Sequence, residues 1–155
     1  MKKIVTLTIF TLFIIIHLNA QHKELPYKSL EDFNCDTTAF INYNFIERAE
    51  HYKNQSFESF LKDLQITPVA SGLGYIMGEN ENINFSSLRL YINRNGKNSL
   101  FVQVSWESPA PMPLSMERII HKYGIHTWTD QHNEVLGNFK IGRIYTNETF
   151  RPGRK

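Results

Sequence analysis

The spacing of apolar residues predicts one small α+β domain: two N-terminal helices, an antiparallel sheet of about four strands, and a helical insertion before the last strand. Three observations carry this. Apolar residues between positions 37 and 64 recur at helical spacing. After Pro68 the period drops to two, with a turn signal at Asn95-Gly96. A proline-rich block at 108–113 and glycines at 124 and 137 then bracket two further helical segments ahead of a final alternating run.

Residues 1–20 stand apart. Lys2 and Lys3 precede an apolar run from Ile4 to Leu18, and Asn19-Ala20 closes it before Gln21. A basic start, an apolar middle and a small-residue exit form the pattern of a secretory signal peptide. The run is short for a bilayer span, which needs about 20 apolar residues. The expectation is export to the periplasm or beyond the cell, with no membrane insertion after signal removal. The division that follows is a signal peptide at 1–20, a polar leader at 21–34, a single α+β domain at 35–148 and a basic tail at 149–155.

Removing 20 of 155 residues leaves 135, a size that buries roughly two-thirds of its extended surface. Cys35 is the single cysteine, so no internal disulfide supports the core. The 17 basic and 15 acidic side chains become 15 and 15 without Lys2 and Lys3. Setting aside Arg151, Arg154 and Lys155 as well leaves 12 against 15. A mildly acidic body argues against a nucleic-acid partner, which demands a basic face.

Each element has its own signal. In 21–34, Pro26 and the lack of apolar period predict a segment strapped to the surface or disordered. Asp36 or Thr37 caps a first helix whose inner stripe is Phe40, Ile41, Phe45, Ala49 and Tyr52. Ser56 caps a second, with Glu58 in its first turn and Phe57, Phe60, Leu61 and Leu64 at i, i+3, i+4, i+7. Residues 66–78, with Gly72 and Gly74, read as an irregular or edge strand. Leu88, Leu90 and Ile92 alternate before the turn; Leu100, Val102, Val104 and Trp106 alternate after it. A two-residue Asn95-Gly96 turn would set Leu90 opposite Phe101. A three-residue loop Arg94-Asn95-Gly96 aligns the apolar faces, Leu90 with Leu100 and Leu88 with Val102, and is the expectation here. Ser108 to Pro113 reads as a loop, because its three prolines remove three donors. Ser115 then caps a helix to Tyr123 that Gly124 ends, a short helix runs from about Thr129 to Leu136, and Phe139, Ile141, Ile144 and Tyr145 form the last strand.

For chemistry the sequence offers constellations rather than motifs. Cys35 precedes a helix N-terminus, which lowers a thiol's pKa, yet no partner histidine is spaced to use it, and a small buried apolar role is expected. His121, His126, Asp130, His132 and Glu134 crowd one stretch. Extended, Asp130, His132 and Glu134 share a face; helical, Asp130 and Glu134 pair while His132 turns away. The helical reading is preferred, and no metal or cofactor is expected. Tyr91, Trp106, Glu107, Met112 and Trp128 are the candidate partner or ligand surface, since aromatics at strand ends beside a loop line pockets or anchor partners. The alternative for the tryptophans is structural: Trp106 closes the core and Trp128 packs its helix on the sheet.

The richness in Asn, Ile, Phe and Lys, with a compact Lys-Lys leader ending at Ala-Gln, resembles small exported proteins of the Bacteroidetes group. That resemblance covers chiefly the leader and implies no site residue. The functional expectation is an exported bacterial envelope protein acting as a non-catalytic binding or interaction module toward a protein or small molecule. An inhibitor or immunity protein is one version of it. The alternative is a small periplasmic enzyme using His126, Asp130 or Glu107.

Overall fold

The computed structural model describes residues 25–77, 83–93, 99–124 and 126–147. The expected signal segment at 1–20, the expected turn signals at 78–82 and 94–97 and the expected tail at 149–155 lie outside the described residues. A single 3₁₀ turn, Glu31–Phe33, precedes α1 (Thr37–Ile41), a π-helical turn (Asn42–Glu47), α2 (Ala49–Tyr52) and α3 (Phe57–Leu64). Then come β1 (Ala70–Met77), β2 (Ile83–Tyr91), β3 (Phe101–Ala110), α4 (Leu114–Tyr123), α5 (Gln131–Leu136) and β4 (Ile141–Thr146). The sheet is antiparallel throughout, in the order β1-β2-β3-β4, with α4 and α5 inserted between β3 and β4. The fold is thus α+β, with the four strands and the insertion in the expected places.

The N-terminal helices follow their caps. Asp36 Oδ1 accepts the N–H groups of Thr38 and Ala39 at 2.9 and 3.0 Å, and Ser56 Oγ accepts that of Ser59 at 3.3 Å. The first helix is not continuous, however. The Arg48 N–H reaches back five residues to the Tyr43 carbonyl, a wide turn joining α1 to α2. Its inner face holds Phe40, Ile41, Phe45 and Tyr52 as expected, but also Asn44 and Arg48. These two polar side chains receive the leader. Asn44 bonds both the N–H and the carbonyl of Lys28, and Arg48 Nε donates to the Leu25 carbonyl at 2.7 Å. Tyr27 and Tyr43 hydroxyls add bonds to Asp63 and Pro26 carbonyls. From residue 25 onward, the leader is strapped down.

Cys35 does not enter the core. The chain passes through two left-handed residues, Asn34 and Cys35, to reach the Asp36 cap, and this turn leaves the thiol exposed. The expectation of a buried, small apolar role is corrected accordingly.

In the sheet, burial alternates along β2 and β3 as the period of two requires. The hairpin register differs from the expected one. Leu90 faces Val102 and Leu88 faces Val104, two residues beyond the pairing of a three-residue loop. The apolar faces still align, because a two-residue slip preserves the face on which every side chain lies. Asn93 instead closes the ladder, its Oδ1 accepting the Leu100 N–H at 2.9 Å. β3 also runs further than expected, to Ala110 opposite Phe85. Its register with β2 shifts beyond Ser105, so Pro109 falls in a bulge where no ladder donor is needed. At the same level β4 bulges: a Cβ on Gly142 would lie 2.9 Å from the Trp106 carbonyl oxygen, so a side chain cannot fit there. Pro113, in extended conformation, precedes α4 and accepts the Met116 and Glu117 N–H groups. The helix therefore begins at Leu114, not after a Ser115 cap. Gly124, at φ 86°, ends it.

The helices lie over one face of the sheet, and the core forms between them. Phe45, Phe57 and Phe60 from the helical layer meet Leu88, Leu90, Val102 and Val104 from the strands. Phe57 stacks on Phe60 and turns its ring edge toward Trp106 at 5.4 Å.

Candidate functional site

The five residues singled out from sequence take five different positions. Trp106 is 4% exposed, enclosed by Phe57, Phe85 and Phe139 at 5.1–5.4 Å between ring centres. Its Nε1 is buried without a hydrogen-bond acceptor. Glu107, the next residue, is exposed at the bulge, its backbone N–H bonded to the Lys140 carbonyl. Tyr91 lies on the outer sheet face against Phe101. Beside it the Arg89 guanidinium sits 4.3 Å over the Phe101 ring and bonds Gln103, which bonds Ser87. That face is covered by its own side chains. Met112 is half-buried, its sulfur 3.6 Å from the Tyr75 hydroxyl. Trp128 stacks on His132 at 4.9 Å, an interplanar angle of 21°, and its edge approaches Phe57.

The histidine-rich stretch divides between two helices: His121 lies in α4, His126 and Asp130 precede α5, and His132 and Glu134 lie within it. His132 is 1% exposed, and its Nδ1 accepts the Thr129 N–H at 3.1 Å. Burial lowers its pKa below 6.5, partly opposed by the Thr129 carbonyl, 3.0 Å from Nδ1, to which a protonated ring would donate. Asp130 and Glu134 face solvent, and His126 lies against the Ser71 carbonyl of β1. Among the described residues, no group of three or more His, Cys, Asp or Glu side chains converges to hold a metal ion.

Two features escaped the sequence reading. The first is an apolar end of the molecule. Met77 (69% exposed) pairs with Ile83 (63%) where β1 and β2 outrun the helical layer, and Tyr75 and Ile76 are exposed beside them. Met112 touches Tyr75, and Leu114, two residues on, is 71% exposed. Burial and the Glu117 carboxylate together raise the Tyr75 hydroxyl pKa. Apolar residues flanking Gly78–Asn82 were a signal, but alternation there did not say which side would lack a cover.

The second is a groove of about 270 Å³ between the end of α3, the link at 66–68 and the Trp128–Asn133 segment. Leu64 and Trp128 supply apolar lining, and Gln65, Asp130 and Asn133 supply polar groups. Nothing in local spacing joins residue 65 to residue 130. No helix among the described residues is long and apolar enough to cross a membrane. Compared with family models, curated proteins and solved structures, the chain finds no match.

Proposed function

We propose that this chain is a non-catalytic binding module of the bacterial envelope, exported by its N-terminal segment and recognising a protein partner through the apolar end of the β1–β2 hairpin. The observation that supports this reading most is the end of the β1–β2 hairpin, which holds Tyr75, Ile76, Met77 and Ile83, four of the seven large apolar side chains exposed among the described residues; Tyr75, Met77 and Ile83 share the face that Met112 joins, and Ile76 lies on the other. Contiguous apolar surface of this kind marks interaction sites. Covering one such side chain contributes about 1.5–3 kcal/mol, so a partner that enclosed three or four would bind specifically. Met112 belongs to this surface; Trp106 supports it from within, packing against Phe85 behind Tyr75.

The experiment is cross-linking in intact cells with the wild type, a Met77→Lys/Ile83→Lys variant and a control Lys substitution at Val69, exposed but outside this end. The expected result is a discrete partner protein joined to the wild type and the control and lost from the double variant, with its melting temperature kept. Equal yield of the same adduct from all three proteins would sink the assignment.

A further inference from the structure

The groove beside Trp128 shares no residue with the hairpin end, and its chemistry differs. Its aromatic wall is packed in place by the fold. The Trp128 indole is held by the stacked His132 ring, and His132 is in turn fixed by Thr129, whose N–H it accepts. A wall ordered by the fold costs a ligand no side-chain entropy.

The polar groups are open. Among the described residues, neither the Trp128 Nε1–H, the Asp130 carboxylate nor the Asn133 amide has a hydrogen-bond partner in the protein. Gln65 Oε1 accepts the Leu30 N–H at 2.9 Å, which anchors that side chain and leaves its NH₂ group available. The set therefore offers donors and acceptors together beside an indole surface. Lys62, which also lines the groove, is paired with Glu58 at 3.1 Å, so the Asp130 carboxylate is the remaining charged group and offers its oxygens as hydrogen-bond acceptors. At about 270 Å³ the space lies at the low end of ligand pockets, which run roughly 300–1,000 Å³. It suits one ring-sized unit, and a dinucleotide or haem would be too large.

We propose that this groove binds a neutral saccharide ring, its C–H face on the Trp128 indole and its hydroxyls bonded by Asp130, Asn133 and Gln65. A sugar hydroxyl both donates and accepts, which matches two amides and a carboxylate. A pyranose also presents an apolar face to the indole.

The test follows the two indole N–H signals of the ¹⁵N-labelled protein, assigned with Trp106→Phe, during titration with glucose, galactose, N-acetylglucosamine and the disaccharide of each. The expected result is saturable displacement of the Trp128 signal while that of Trp106 stays in place. Asn133→Ala should weaken binding about three- to tenfold with an unchanged melting temperature, since the Asn133 amide holds nothing within the protein. Tighter binding of a disaccharide than of its monosaccharide identifies a glycan chain as the source; equal binding identifies a free sugar. The proposal is overturned by an unmoved Trp128 signal throughout the panel, by displacement unaffected in an Asp130→Ala/Asn133→Ala variant, or by a response confined to glycine and lysine added as charged controls.

Discussion

The helix-covered part of the sheet and the free end of the β1–β2 hairpin are built from the same kinds of residue and differ in what lies over them. Under the helices, Phe40, Phe45, Phe57, Phe60, Leu88 and Val104 are wholly enclosed. At the hairpin end, Tyr75, Met77 and Ile83 continue the same strands and stand in solvent. The closed region is also closed at its edges. Residues 54–57 bond along 139–141 beside β4, and the leader is tied across Asn44 and Arg48. At β1, His126 covers the edge at Ser71 through the Ser71 N–H and the His126 carbonyl. Burial here is a property of coverage, and residue type alone does not confer it.

The largest test of this contrast is truncation on each side. Trp106→Ala should cost about 3–5 kcal/mol of unfolding free energy, as for other buried aromatics, whereas Met77→Ala should stay within about 0.5 kcal/mol. Trp106→Phe sharpens the point. It shrinks the ring but removes a buried donor without an acceptor, so it should cost less, about 1–2 kcal/mol. Denaturant titration of the three variants checks this, and equal losses at 106 and 77 would break the comparison.

Next comes the strap. Arg48→Met keeps an apolar stem against Tyr27 and Tyr52 but removes the donor to Leu25. A hydrogen bond from a charged group contributes about 1.5–3 kcal/mol. The expected result is a stability loss of that order with faster amide exchange or proteolysis at 25–28. Unchanged protection there would show that the leader is held by its ring contacts alone.

The smallest effect concerns pH. Because burial lowers the His132 pKa below 6.5 in the folded protein, the unfolded chain binds more protons in the window between the two values. Stability from the neutral ring is therefore complete above about pH 6.5 and is lost as pH falls through the folded value. Protonation also turns the Nδ1 acceptor of the Thr129 N–H into a donor. Urea midpoints measured from about pH 7.5 downward should decline more steeply in the wild type than in His132→Gln; parallel profiles would remove His132 from the account.

Much of the fold was legible because its signals are local. Asp36, Ser56 and Gly124 satisfy or release backbone groups within a few residues of themselves, so their roles depend little on what else the chain does. Alternation along 88–92 and 100–106 named the buried face of each strand. It was silent on the pairing Leu90–Val102, since registers two residues apart bury the same side chains; the Asn93 amide bond accompanies the observed register and carries no periodic signal. Asn44 and Arg48 look like surface residues in a helical period; they are buried because a distant leader brings unpaired backbone groups to them. The candidate sites were legible only in part. Trp106, Met112 and Trp128 were singled out as aromatic or apolar positions near a loop, but neither their separation nor the partners Tyr75, Gln65 and Asn133 could be seen.

By itself the sequence determined the class of fold, the Asp36 and Ser56 caps, the buried faces of β2 and β3 and the order of elements, because these follow from periodicity and from hydrogen bonding within a few residues. Tertiary structure alone decided the strand register, the course of β3 across Pro109, the burial of Arg48 and His132, the exposure of Cys35, and the assembly of the apolar end and the Trp128 groove. Cys35 is exposed by the left-handed turn at Asn34 and Cys35, which no periodicity signals; the others rest on contacts between segments separated in the chain, where the outcome is set by which surface the fold covers.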